Sequence, residues 1–117
     1  MTAPNLKAPT TITGKVAPYP VTTSLAAALS NSAGSNQCLR ISTIRLANTS
    51  GSAVTVSVSH YRSSTHTYLV KTANIAANQS LVVSQRDEFV YLEEGDAICA
   101  QASAATVDML VTYDAWS

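Results

Sequence analysis

The sequence predicts an all-β fold, a compact antiparallel β-sandwich or jelly roll carrying a short extended N-terminal arm. Three observations lead there. The segment "AVTVSVSHY" alternates apolar and polar residues strictly, the two-residue period of a half-buried strand. Polar turn sequences such as "NTSGS", "NQ" and "EEGD" recur between short apolar runs. No long stripe with helical spacing is available to cover a parallel sheet. A chain of 117 residues fits one domain and buries roughly two thirds of its unfolded surface, so a core is attainable without staples. An up-and-down barrel is the alternative closure of the same strands.

The elements follow in chain order. Residues 1–13 are expected to be an arm or edge segment and residues 14–117 the sandwich domain. Pro4 and Pro9 cannot donate ladder hydrogen bonds. "TTITGKVAP", Thr10 to Pro18, forms a short strand that ends at the break made by Pro18 and Pro20. "VTTSLAAALS", Val21 to Ser30, suits a strand among strand neighbours, with one short helix as the alternative, and "NSAGSNQ" is a loop. In "CLRISTIRLANTS", Leu39 and Ile41 share one phase and Ile44 and Leu46 the other, which calls for a bulge near Ser42 and Thr43. Val54, Val56 and Val58 then share a face. In "TYLVKTANIA", Tyr68 and Val70 share a face and Leu69 points oppositely. Asn78 and Gln79 turn the chain into "SLVVS", and "RDE" at Arg86 to Glu88 turns it into "FVYL". In the last strand Val107, Met109, Val111 and Tyr113 are in phase, with Asp108 and Asp114 opposite.

Composition narrows the functional classes. Seven basic residues balance seven acidic ones, so the chain has little long-range attraction for nucleic acid or an anionic membrane. Neither a signal peptide nor a transmembrane run is expected. Cys38 and Cys99 are read as free, buried thiols, with a single disulfide as the other pairing. His60 and His66 do not supply a zinc pattern.

Chemistry is sought first in the acids. Asp87, Glu88, Glu93, Glu94 and Asp96 are five of the seven. "EEGD" lacks the ligand run of a calcium loop and is read as a solvated turn, with Gly95 supplying the geometry and Asp96 bonding local backbone. Calcium binding, an interface role and carboxylate catalysis are the alternatives. Ser59, Ser63, Ser64, His60, His66, Asp87 and Asp96 combine into a hydrolytic triad only on paper. No nucleophile elbow, phosphate loop, CxxC or HExxH motif is present, so no catalytic, cofactor-binding or metal residue is assigned. Asn48-Thr49-Ser50 and Asn78-Gln79-Ser80 match the glycosylation pattern fortuitously. A sugar cleft built from tyrosines and Trp116 is a minority reading. Tyr61, Arg62, Tyr68, Glu93, Glu94 and Trp116 are the candidate interface residues.

The order of "LRISTIRLANTSGSAVTVSVS", "IAANQSLVVS", "FVYLEEGDAICAQASA" and "VDMLVTYDAW" resembles small structural proteins of tailed-bacteriophage virions, over about Val21 to Trp116. The resemblance implies a β-sandwich attached to a head, neck, tail or fibre in repeated copies. It implies a non-enzymatic decoration or cement protein of the capsid, made in the host cytoplasm and resident in the virion. Its partners would be the major capsid protein or another virion protein and further copies of itself. A tail, baseplate or fibre module binding a host glycan is the alternative.

Overall fold

Strand pairing in the chain is nested. A computed structural model describes residues 11–85, 87 and 89–117. The described residues form nine strands: β1 (Ile12–Val21), β2 (Ala26–Ser30), β3 (Cys38–Asn48), β4 (Val54–Arg62), β5 (Thr65–Ile75), β6 (Ser80–Ser84), β7 (Val90–Leu92), β8 (Ala97–Ala102) and β9 (Val107–Trp116). Innermost, β4 pairs with β5; around them β3 pairs with β6 and β7, β2 with β8, and β1 with β9, all antiparallel. The ribbon is wound so that successive levels fall into opposite sheets. Sheet A runs β1-β9-β3-β6, with β7 also on β3, and sheet B runs β2-β8-β4-β5. With β6 and β7 sharing one position, this is the strand order of a jelly roll.

The phase break in β3 explains how one strand serves two partners. Ile41 pairs with Tyr113 and Thr43 with Thr112, leaving Ser42 as the bulge. Leu39 and Ile41 before it, and Ile44 and Leu46 after it, therefore all reach the core. β7 pairs with β3 before the bulge and β6 after it. Val54, Val56 and Val58 of β4 meet Val107, Met109 and Val111 of β9 in the same buried cluster. At about 1.5–3 kcal/mol for each fully buried aliphatic side chain, this interior is the main support of the fold.

Three expectations need correction. The first strand does not stop before Pro18; β1 runs through Pro18 and Pro20 to Val21. Thr11 and Ser117 exchange two backbone hydrogen bonds, at 3.0 and 2.8 Å. With the uninterrupted register of β1 on β9, odd-numbered residues of β1 bond to β9 and even-numbered ones face the free edge. Both prolines are even-numbered, so neither removes a ladder bond. Second, Val21 to Ser30 is not one strand: Thr22 to Leu25 form the corner between sheets, where Thr22 Oγ1 donates to the Ser24 carbonyl at 2.9 Å. Third, Tyr68 and Val70 do not share a face. Val58 pairs with Val70 but Ser59 pairs with Tyr68, so Leu69 is bulged out, Val70 turns inward and Tyr68 outward. In the "RDE" turn, Arg86 and Glu88 lie outside the described residues, as does the arm up to Thr10.

Two buried asparagines pin opposite ends of the sandwich. Asn48 Nδ2 donates to the carbonyls of Ser52 (2.7 Å), Ile75 (3.2 Å) and Ala76 (3.3 Å), while its Oδ1 accepts from Ser50 N–H and Oγ. Asn31 Nδ2 donates to the carbonyls of Gln37 and Leu92, both at 2.9 Å. Each amide bonds carbonyls at strand ends and in the adjoining loops, so its own buried polar atoms are satisfied.

Candidate functional site

The charged turn lies between β7 and β8. Glu93 N–H donates to Asp96 Oδ2 at 2.9 Å, Asp96 N–H donates back to the Glu93 carbonyl at 3.0 Å, and Gly95 occupies positive φ of 88°. The turn is fastened to the end of β2, because Gly95 N–H donates to the Asn31 carbonyl and Asn31 N–H to the Asp96 carbonyl. From β4, Arg62 places Nε 2.9 Å from Asp96 Oδ1 and Nη2 2.6 Å from Oδ2, and also pairs with Glu93. His60 Nε2 lies 3.2 Å from Asp96 Oδ2.

Asp96 is 2% exposed, so the expectation of a solvated turn fails at its central residue. Burial alone would raise its carboxyl pKa; the bonds from Arg62 and from Glu93 N–H, with the charges of Arg62 and His60, outweigh burial and hold it below the usual carboxylate range. Arg62 is correspondingly held more firmly protonated, chiefly by its bond to Asp96. The two glutamates diverge as expected. Glu93 turns to Arg62, whereas Glu94 is largely buried and accepts from Asn36 N–H at 3.3 Å. A guanidinium occupies the carboxylate here, and no metal-holding group of three or more His, Cys, Asp or Glu is found among the described residues.

The residues that make a triad on paper are not brought into one. Ser59 Oγ and His66 Nδ1 share a hydrogen bond of 2.9 Å, and His60 contacts Asp96. Ser59 and His60 are consecutive in a strand, so these pairs lie on opposite faces of sheet B. Ser59 is fully buried and offers no accessible nucleophile.

The outer face of sheet B carries an aromatic-walled groove. Tyr61 pairs with His66 and Ala97, and Ser59 with Tyr68 and Cys99, which places the three rings beside a floor of small residues. The Tyr61 and His66 centroids are 4.6 Å apart, and His66 and Tyr68 6.4 Å. The cavity is about 500 Å³, closed on its other side by Ala26, Ala27, Ser30 and Ser32. Sequence reasoning brought out Tyr61 and Tyr68; His66 as the ring between them was missed, because the two-residue turn at Ser63 and Ser64 is what sets it opposite Tyr61.

The outer face of sheet A is broader and more apolar. Register aligns Ile12 with Trp116, Val16 with Thr112 and Pro18 with Leu110, then Leu110 with Arg45 and Arg45 with Val82. Ile12, Val16, Val82, Phe89, Tyr91 and Leu110 are large hydrophobic residues left exposed on β1, β6, β7 and β9 or beside β7. Arg40 stacks over the Phe89 ring at 4.4 Å. Between β1 and β3 lies a mostly apolar depression of about 510 Å³ over Pro18, Pro20, Ala47 and Leu110. Trp116 belongs to this face, so it forms no cleft with Tyr61 and Tyr68 on the other sheet. The indole Nε1 of Trp116 and Nε of Arg40 are buried without a hydrogen-bond partner among the described residues.

Two further sequence features resolve structurally. Cys38 and Cys99 are free and buried in different sheets; burial raises both thiol pKa values, that of Cys38 with help from Glu93 and Asp96. Asn48, the first glycosylation match, is buried and fully bonded.

The chain matches no protein-family model, no curated protein and no solved structure.

Proposed function

We propose that this protein is a structural component of a tailed-bacteriophage virion and decorates the head, bridging neighbouring capsid subunits. The observation that carries the proposal is the outer face of sheet A. Exposed Ile12, Val16, Val82, Phe89, Tyr91 and Leu110 spread across it, interspersed with Arg40, Arg45, Asp108 and Asp114, and exposed apolar side chains grouped on one face mark surfaces made for contact. The order of strand-forming segments, similar to that of small virion proteins, supports the same reading. So does electroneutrality, which suits permanent residence in an assembly. The role is non-catalytic: the rigid sandwich supplies the surface, and repetition over the shell supplies avidity. Imaging of intact particles tests it. The protein should occupy repeated positions on the head with sheet A toward the shell; density confined to the tail tip would reject the placement.

The groove on sheet B favours a second reading, a fibre or baseplate module that binds glycan. Tyr61 and His66 offer ring faces, and the small floor admits a flat amphipathic ligand. Titrating oligosaccharides against Tyr61→Ala separates the two readings: saturable binding lost in the variant would support the second.

A further inference from the structure

The free edge of sheet A is divided into a blocked half and an open half. β1 is the terminal strand of its sheet and pairs only with β9 among the described residues. The reciprocal bonds between Thr11 and Ser117 set the alternation, so residues 12, 14, 16, 18 and 20 direct their backbone groups away from the sheet. Pro18 and Pro20 have no N–H, and they blunt the half of the edge nearest β2. Ile12, Gly14 and Val16 keep theirs. Edge strands left in this state accept a further strand.

We propose that the open half pairs with the same segment of a second copy, antiparallel about a two-fold axis through Gly14. In that register Ile12 lies opposite Val16 of the second copy, and Gly14 lies opposite its own equivalent. All three pairs are of the hydrogen-bonded kind, each exchanging two main-chain bonds. Moving the axis one step along the strand sets Ile12 against Pro18, while the opposite step runs Val16 past the start of the strand. The two-fold register is therefore the one in which every unblocked donor meets an acceptor within the strand.

Side chains fit the same arrangement. Ile12 and Val16 are 52% and 56% exposed, and the register brings each against the other's equivalent on the outer face of sheet A. Gly14 between them adds no bulk at the axis. Lys15, a residue type that commonly protects edges, faces Thr13 of the second copy, so no like charges stand directly opposite. The chain carries equal numbers of acidic and basic residues, which leaves no net repulsion between copies. A contact of a few residues per side falls well short of the roughly 800 Å² per partner of stable complexes. The pairing is therefore weak in dilute solution and is held by high local concentration, with sheet A continuing from one copy into the next. It does not depend on the virion reading.

Disulfide trapping in free protein tests it, and its outcome is separate from any test of particle attachment. A Cβ added at Gly14 would meet only Asp114 Oδ1, at 3.6 Å, an ordinary contact, so Gly14→Cys is compatible with the fold. Facing Cα atoms in a hydrogen-bonded pair lie about 5.5 Å apart, within disulfide range. Under mild oxidation, Gly14→Cys should form covalent dimers at least about tenfold faster than Gly51→Cys, a turn position with open space around it. Ile12→Cys alone should stay near that control, whereas an Ile12→Cys and Val16→Cys mixture should form the heterodimer. Adding Val16→Pro to Gly14→Cys removes one free-edge donor without touching the β9 ladder and should return the rate to control. Gly14→Cys cross-linking no faster than Gly51→Cys, or Ile12→Cys dimerising as fast as Gly14→Cys, would overturn the proposal. The heterodimer arm decides the matter if the Gly14 variant fails to fold.

Discussion

Replacing Asp96 by asparagine removes the charge at the centre of the turn that ties β4, β7 and β8 together. Asp96 accepts two bonds from Arg62, one from Glu93 N–H and one contact from His60. Asparagine has one acceptor oxygen, so its amide must face at least one donor that the carboxylate satisfied. Bonds to charged groups contribute about 1.5–3 kcal/mol each; because Arg62 is half exposed, its share is discounted for solvent screening. The expected loss is about 2–3 kcal/mol. With an unfolding entropy of about 0.25 kcal/mol/K for a domain of this size, Tm should fall by roughly 8–12 °C near pH 7. The deficit should depend on pH. A carboxyl whose folded pKa is depressed contributes stability above its unfolded pKa and loses it as pH falls through the folded value. The gap between the parent and Asp96→Asn proteins, followed by circular dichroism melts, should therefore be constant above about pH 5 and narrow below about pH 4. A gap under about 2 °C, or one of equal size at pH 3 and pH 7, would refute the buried-pair account.

Two further outcomes follow from the fold. The two-residue loop between Arg62 and Thr65 holds Ser63 and Ser64 at φ of 50° and 64°, the conformation that favours Asn-Gly; Ser64→Gly should stabilise the protein by about 0.5–1 kcal/mol in denaturant titration, and a loss of stability would contradict the turn assignment. Asn48→Ala leaves the carbonyls of Ser52, Ile75 and Ala76 without their common donor and should cost about 2–4 kcal/mol by the same assay, with a change under about 0.5 kcal/mol counting against the pin.

Local patterning made much of the sandwich legible. The alternation of Val54, Val56 and Val58 and the phase break at Ser42 belong to single strands, and a two-residue period reports which face each residue takes. What escaped depended on partners. Pro18 and Pro20 look like a strand break unless the hydrogen-bonding side of β1 is known, and that side is fixed by Ser117 at the other end of the chain. Leu69 gives no local sign of its bulge, since only the pairing with β4 shows that Tyr68 and Val70 part company. Asp96 looked solvated because Arg62, 34 residues earlier, meets it only after β8 pairs with β4. Tyr61 and Tyr68 were legible as amphipathic aromatics, whereas the pinning role of Asn48 and Asn31 depends on strand-end and loop carbonyls that nested pairing brings together.

The proposal that sheet A docks on a phage head is tested most directly by co-sedimentation of purified protein with phage heads lacking it. Val16→Asp combined with Leu110→Asp places charge in the middle of the exposed apolar face, and the account predicts that bound protein falls at least about tenfold. Tyr61→Ala in the sheet B groove should bind as the parent does. Undiminished binding of the double variant, or loss of binding with Tyr61→Ala alone, would contradict the account.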